Sequence, residues 1–217
     1  MSPRTEWHTD GYVSLIERHH ENMAIKGYIA SSMDGYIASL DGKVEFLSNY
    51  QDIDCWYDGF IADISTIVMG RKTYEAILSF GVAWPYPKQH TWVLTSHDNL
   101  PVEDTSVQLW TKGIDALIEK LKLPEAGNTW VVGGAQLQAS FIDKRALDTL
   151  EVFLMPEILG IGVPLFPEGL ISAQTIKSVQ ASMIDETIVR HVYQLNTTKP
   201  WYSNLCRQSL LNNSSEC

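Results

Sequence analysis

Cysteine is scarce in this chain: three in 217 residues, Cys55, Cys206 and Cys217, with no C-x-x-C pair. An odd and scattered set argues against a disulfide framework or a structural zinc site and fits a reducing cytoplasm, the compartment expected here. No stretch approaches the roughly 20 apolar residues of a membrane span, so no membrane partner is expected. The first residues carry Asp10, Glu17 and His19 in place of an apolar run, so no signal peptide is expected. Cations are also few. Lys and Arg number 16 against 26 Asp and Glu, a formal charge of −10. Such a chain has no general field for drawing in nucleic acid or anionic lipid. An anionic ligand must be held locally, by a helix N-terminus or a few placed cations. Several signatures are missing as well. Without G-x-G-x-x-G the Rossmann fingerprint is absent. Without G-x-x-x-x-G-K-[ST] nothing points to a nucleoside triphosphate. Without P-C-x-x-C no zinc-deaminase half is expected.

What remains is the make-up of one globular domain, 45% apolar and 19% charged. Residues 1–22 are polar and poorly periodic and read as an extension. Residues 197–217, rich in Ser and Asn, read as a tail. Between them, 23–196 alternates strand and helix signals. Apolar strands are expected at 25–30, 66–69, 91–94, 129–132 and 150–155. Ile53, Tyr57, Phe60, Ile61 and Ile64 follow helical spacing and predict a first helix. Further helices are expected over 73–80, along the Ile114–Leu117–Ile118–Leu121 stripe, and around Leu137, Phe141 and Ile142. The last two runs, 176–183 and 187–195, have no helix between them and read as a hairpin turned near Asp185-Glu186. The fold class is α/β: a mostly parallel central sheet flanked by helices, with a C-terminal antiparallel hairpin.

Two places join an apolar strand to glycine and a helix start: Val68-Met69-Gly70-Arg71-Lys72-Thr73 and Val131-Val132-Gly133-Gly134-Ala135-Gln136. Glycine lets the backbone approach a ligand. The helix behind it offers N–H groups and the positive end of its dipole. Two such sites on one sheet could hold a pyrophosphate from both sides, although either alone also makes an ordinary tight turn. Arg71 and Lys72 fall at a helix start, where the dipole disfavours cations. A phosphate would supply the reason, since Arg engages phosphate with two prongs. Thr95-Ser96 adds hydroxyl donors. Solvated side chains and a Ser cap are the plain alternative.

These residues match a family. Met69-Gly70-Arg71-Lys72-Thr73-Tyr74-Glu75, Leu94-Thr95-Ser96 and Val132-Gly133-Gly134-Ala135-Gln136-Leu137 resemble the phosphate, 2′-phosphate and glycine-pair motifs of dihydrofolate reductases, in that family's order. The stretch 25–38 resembles its first strand and mobile loop. The closer resemblance is to the reductase domain of riboflavin-biosynthesis deaminase–reductases and its stand-alone relatives. It rests on Ser32-Met33-Asp34-Gly35-Tyr36-Ile37-Ala38, on Trp84-Pro85-Tyr86-Pro87 and on the run from Pro156-Glu157-Ile158 through Gly160 and Gly162 to Leu165-Phe166. It covers about residues 24–195.

The resemblance implies a dihydrofolate reductase-like fold, a small-molecule substrate and NADPH as cofactor. By that match Gly70, Arg71, Lys72 and Thr73 face Gly133, Gly134, Ala135, Gln136 and Leu137 across the pyrophosphate. Arg71 with Leu94, Thr95 and Ser96 reads the 2′-phosphate, and Ala30 and Ile37 border the nicotinamide. The Gly133-Gly134 bond is cis in the family, and relatives are often homodimers. Reduction of an imine-like bond needs a proton, which a buried carboxyl could supply or relay. Asp54, expected on the first helix, is the first candidate, with capping as its alternative. Asp34 is the second, for a substrate or loop-closing role, with an Asp-Gly turn as its alternative. Two departures bear on the substrate. The segment Tyr86-Pro87-Lys88-Gln89-His90 lacks the arginine that pairs with the folate carboxylate, so a folate ranks below a riboflavin-type substrate. The family's Asp-Glu-Leu stands here as Asp148-Thr149-Leu150, which puts recognition of the ribityl precursor in question.

Overall fold

A computed structural model describes residues 23–102 and 104–197. The extension 1–22, and the tail apart from Thr197, lie outside the described residues. The main sheet has eight strands: β1 (Ile25–Ser32), β3 (Thr66–Gly70), β4 (His90–Leu94), β5 (Val107–Trp110), β6 (Thr129–Gly133), β7 (Thr149–Met155), β9 (Ser178–Ile184) and β10 (Ile188–Gln194). Their order is β5-β4-β3-β6-β1-β7-β10-β9, and the first six run parallel. The hairpin β9–β10 adds the antiparallel edge, with Asp185 and Glu186 both at positive φ in its turn. Two short strands, β2 (Tyr36–Ala38) and β8 (Val163–Pro164), pair with each other. The described residues also form four α-helices: α1 (Tyr57–Ala62), α2 (Arg71–Ser79), α3 (Ile114–Leu121) and α4 (Ala135–Asp143).

The sheet is covered on both faces, as parallel sheets must be. Alternate residues of β3 divide the core. Val68 joins Leu117, Leu121, Leu137 and Phe141 under α3 and α4. Ile67 and Met69 join Tyr74, Phe60 and Ile61 under α2 and α1. A third group, Phe153, Met155, Ile184 and Ile188, lies beneath Phe46, Leu47, Tyr50 and Ile53. The helices that follow β3 and β6 thus lie on opposite faces, and the chain leaves these neighbouring strands in opposite directions, to β4 and to β7. That makes the crevice beyond their carboxyl ends a topological switch point, where open α/β sheets bind ligands.

The first helix is shorter than its pattern predicts. Residues 45–50 form a 3-10 helix, and α1 begins only at Tyr57. The break is at Trp56, whose φ of 61° is left-handed, and at Asp54, whose Oδ1 accepts the Trp56 N–H at 2.7 Å. Ile53 packs with the third group, while Phe60, Ile61 and Ile64 pack with the second. Strand β5 has only two buried residues, Val107 and Trp110, too few to show as a pattern.

Candidate active site

The expected cofactor residues fall along the carboxyl edge of consecutive strands. Leu94 pairs with Gly70 across β4 and β3, and Met69 with Gly133 across β3 and β6. Gly27 of β1 pairs with Val131, so Ala30 and Gly134 lie three residues further along their chains. The two glycine turns meet. A Cβ built on Gly70 would come within 3.9 Å of both Gly133 O and Gly134 N, and one on Gly134 within 3.5 Å of Thr73 Oγ1. Gly133 has φ of 131°, a conformation that side chains rarely adopt, and the Gly133-Gly134 bond is cis. Helices α2 and α4 start from Gly70 and Gly134, and neither start is capped by a side chain. Two helix N-termini with backbone donors therefore border one small glycine-lined gap, the arrangement suited to an anion.

The cations lie beside it. Arg71 Nε donates to Glu75 Oε1 at 2.7 Å, and Lys72 is exposed. Beyond β4, Thr95 N–H donates to Trp110 O at 3.1 Å, and Thr95 Oγ1 accepts from His97 N at 3.0 Å. His97, which the sequence reading does not single out, lies between Arg71 and Ser96. Its Nδ1 is 3.3 Å from Arg71 Nη1 and 3.1 Å from Ser96 Oγ. Ala135 and Leu137 are buried, and Gln136 is exposed on the first turn of α4. Ala30 and Ile37 lie on neighbouring strands but pack against different core groups, Ala30 with Phe153 and Met155, Ile37 with Val131 and Leu137.

The two candidate acids separate. Asp34 is fully engaged. Its Oδ1 accepts from Ser32 Oγ at 2.6 Å and Leu159 N at 3.1 Å, and its Oδ2 from Gly160 N at 2.7 Å. The Ser32 hydroxyl above all, with the Leu159 and Gly160 amides, holds this carboxyl below its ordinary range against the opposing effect of desolvation. A carboxylate so held is a poor proton donor. The loop-closing half of the expectation is the one the geometry carries: Asp34 ties the loop after β1 to the loop after β7. Met33 N–H to Glu157 O at 2.7 Å and Tyr50 O–H to Glu157 Oε1 at 2.8 Å reinforce the tie. Asp54 is exposed and lies ahead of the helix, not on it. Its Oδ1 holds the N–H of Trp56, the residue ahead of α1, while the helix start itself has no side-chain cap. Its Oδ2 has no partner among the described residues.

Three features beside these sites were not legible in the sequence. Tyr28 O–H donates to Cys55 O at 2.8 Å, fastening the loop of Asp54 to β1. Burial, and then the charge of Asp54, raise the Cys55 thiol, which stays protonated. Arg190 of β10 lies 4.8 Å from the Trp56 ring centre and donates from Nε to Glu151 Oε2 at 2.7 Å. The Asp148-Thr149-Leu150 motif, by contrast, sits at the opposite end of the sheet. Asp148 Oδ2 accepts the Ile25 N–H at 2.8 Å, and Thr149 pairs with Lys26. Five intervening residues of β7, or about 20 Å of strand, separate Thr149 from Met155 at the carboxyl edge. The motif therefore stands away from the glycine turns. Among the described residues no group of His, Cys, Asp or Glu is arranged to hold a metal, and no helix is long and apolar enough to cross a membrane.

Comparison with known proteins agrees with this architecture. The uncharacterized Bacillus subtilis protein YwjB is 33% identical over 142 residues, 65% of this chain and 81% of that protein. A Shewanella sp. PV-4 protein named for riboflavin biosynthesis superposes with a TM-score of 0.71 at 26% identity, covering 80% of this chain and 99% of that one. The dihydrofolate reductase of Enterococcus faecalis, solved in complex with NADP(H), shares the fold at a TM-score of 0.59 and 21% identity, over 81% of this chain and 98% of that one. Residues 27–190 match the model of the RibD C-terminal domain. The chain belongs to that family and has its reductase-like fold.

Proposed function

We propose that residues 23–196 form an NADPH-dependent reductase that delivers hydride to a small heterocyclic or imine-type substrate, of the kind represented by the aminouracil precursor of riboflavin. The observation that carries this reading is the meeting of two uncapped, glycine-started helices at the switch point between β3 and β6. The donor set fits the cofactor. Backbone N–H groups of α2 and α4 suit the pyrophosphate, and Arg71, Thr95 and Ser96 suit a 2′-phosphate, which favours NADPH over NADH. Bound there, NADPH would supply the hydride. Ala30 and Ile37 are the residues to border its nicotinamide. Asp54, with Oδ2 to spare at an exposed rim, is the acceptor for a substrate N–H, and solvent can reach the same place with a proton. Segment 86–90 carries no arginine for a folate tail, and its Tyr86 is buried against Trp84 and Trp130.

Gly70→Ala is the direct test. Gly70 has an ordinary extended backbone, φ −79° and ψ 160°, so alanine should fold normally. Its methyl group would still project into the gap between the turns. NADPH titration of the purified protein should show a loss of about 30-fold or more, roughly 2 kcal/mol of binding. Unchanged affinity in the variant, or no binding of NADPH or NADH by the wild type near millimolar concentration, rules the reading out. A second reading, a cofactor-binding scaffold without turnover, is favoured by Val179 and Met183, 51% and 55% exposed on β9 and remote from the glycine turns. Cofactor oxidation against dihydrofolate, the aminouracil intermediate, simple imines and quinones separates the two.

A further inference from the structure

Strand β9 ends the sheet, and its sequence is complementary to itself about Ala181. Reading outward from that centre, Gln180 answers Ser182, both polar, and Val179 answers Met183, both apolar. Ser178 and Ile184 are the one unlike pair. Lys177, just before the strand, answers Asp185, just after it, with the opposite charge. Val179, Ala181 and Met183 are exposed and share one face of the sheet. Neither Lys177 nor Asp185 is in an ion pair among the described residues. The backbone has the same symmetry. Thr187 N–H donates to Ile184 O at 3.2 Å to close the hairpin turn, so the peptide groups of Ile184 face β10. Peptide groups of successive residues alternate sides along a strand, so those of Ser178, Gln180 and Ser182 face β10 as well. The N–H and C=O groups of Val179, Ala181 and Met183 then point outward, where the sheet has no further strand.

We propose that β9 pairs antiparallel with β9 of a second copy of this chain, across a two-fold axis at Ala181, joining two eight-stranded sheets into one. The inference is independent of the NADPH reading. In this register Ala181 faces its own copy as a hydrogen-bonded pair. Val179 meets Met183 of the other copy on each side of the axis, and beyond them Lys177 meets Asp185. A shift of two residues sets Lys177 against Met183, or Asp185 against Val179, and loses both charge pairs. Parallel pairing in register sets Lys177 on Lys177 and Asp185 on Asp185, and like charges directly opposite are unfavourable. The occupant is therefore the chain's own strand, which supplies a base and an acid at the two ends where an antiparallel neighbour needs an acid and a base. A two-fold contact of this kind uses up the edge on both copies, so assembly stops at two.

Sedimentation of the full chain tests the contact, with circular dichroism as the check on folding. The wild type should run as a dimer at micromolar concentration. Lys177→Glu and Asp185→Lys each set like charges together and should weaken the dimer about tenfold or more. The double exchange restores both pairs with their signs reversed and should return the affinity to within about threefold of wild type. Ala181→Pro removes an outward N–H and none that pairs with β10, a change that edge strands accept, and should leave a folded monomer. Cysteine at the axis reads the register. Cα atoms of a hydrogen-bonded antiparallel pair lie about 5.5 Å apart, within reach of a disulfide. Ala181→Cys should therefore oxidise to a covalent dimer. In Val179→Cys the two cysteines stand about 14 Å apart and should not link. The three natural cysteines are common to both variants. A monomeric wild type, including one that dimerises only when residues 198–217 are removed, overturns the proposal. So does a dimer indifferent to both charge reversals, or equal cross-linking of the two cysteine variants.

Discussion

The two ends of the proposed active site are built by different means. On the cofactor side, the carboxyl ends of β4, β3 and β6 and the starts of α2 and α4 form the surface. Backbone geometry decides its shape, and glycine marks each place where a side chain would intrude. On the substrate side, three loops are tied together by side chains far apart in sequence. Asp34 reaches the amides of Leu159 and Gly160, Tyr50 reaches Glu157, and Tyr28 reaches the Cys55 carbonyl. Regular elements hold the first surface and would change little on binding. Individual hydrogen bonds hold the second, which can be released one tie at a time. A surface set by the backbone thus stands beside one set by separable side-chain ties, a regular scaffold next to loops that can vary.

Substitutions can break or sharpen this contrast. The broadest effect, on stability and binding together, is expected at Gly133. Alanine at a φ of 131° should cost about 1–3 kcal/mol in urea unfolding and should also weaken NADPH, coupling stability to binding. Arg190→Ala strikes the other side. It leaves the Glu151 side chain, 16% exposed, without its partner, and should cost about 2–3 kcal/mol of stability with NADPH affinity unchanged. If it also weakens NADPH, the two ends are coupled and the contrast fails. Arg71→Ala should weaken NADPH about tenfold or more with NADH and stability nearly constant, as loss of a charge-assisted phosphate contact requires. Equal loss for both cofactors would remove the 2′-phosphate role. Asp34→Asn should be smallest in global stability and largest in local motion, seen as faster hydrogen exchange at the Leu159 and Gly160 amides. The pH dependence has a fixed sign. The Asp34 carboxyl is held below its ordinary range, so the tie is complete above that range and fails only as pH falls through the lowered value.

The contrast also explains what the sequence could tell. The two glycine turns were legible because glycine after a buried strand, followed by a helix start, is a local signal, and both turns lie on one sheet. The parallel sheet and closing hairpin were legible from runs such as Thr66-Ile67-Val68-Met69 and from the missing helix between 183 and 187. The substrate side was not. Nothing near Asp34 announces that its partners are 125 and 126 residues away. The helical spacing from Ile53 to Ile64 hid a break at Trp56, because two core groups on the same face each take part of the pattern. Linear order also does not reveal which end of a strand a motif occupies, and Thr149 stands at the end of β7 away from the glycine turns.

One consequence of the closing hairpin concerns handling rather than chemistry. Strand β9 is the outermost of the sheet, and Ser178-Val179-Gln180-Ala181-Ser182-Met183-Ile184 contains neither a charge nor a proline. Such an edge offers its outer row of amides and carbonyls as a template for another strand. The charges stand just outside it, Lys177 before and Asp185-Glu186 after, in the position of gatekeepers against aggregation. Neutralising them should therefore show first as a concentration-dependent loss of soluble protein, long before any loss of cofactor binding.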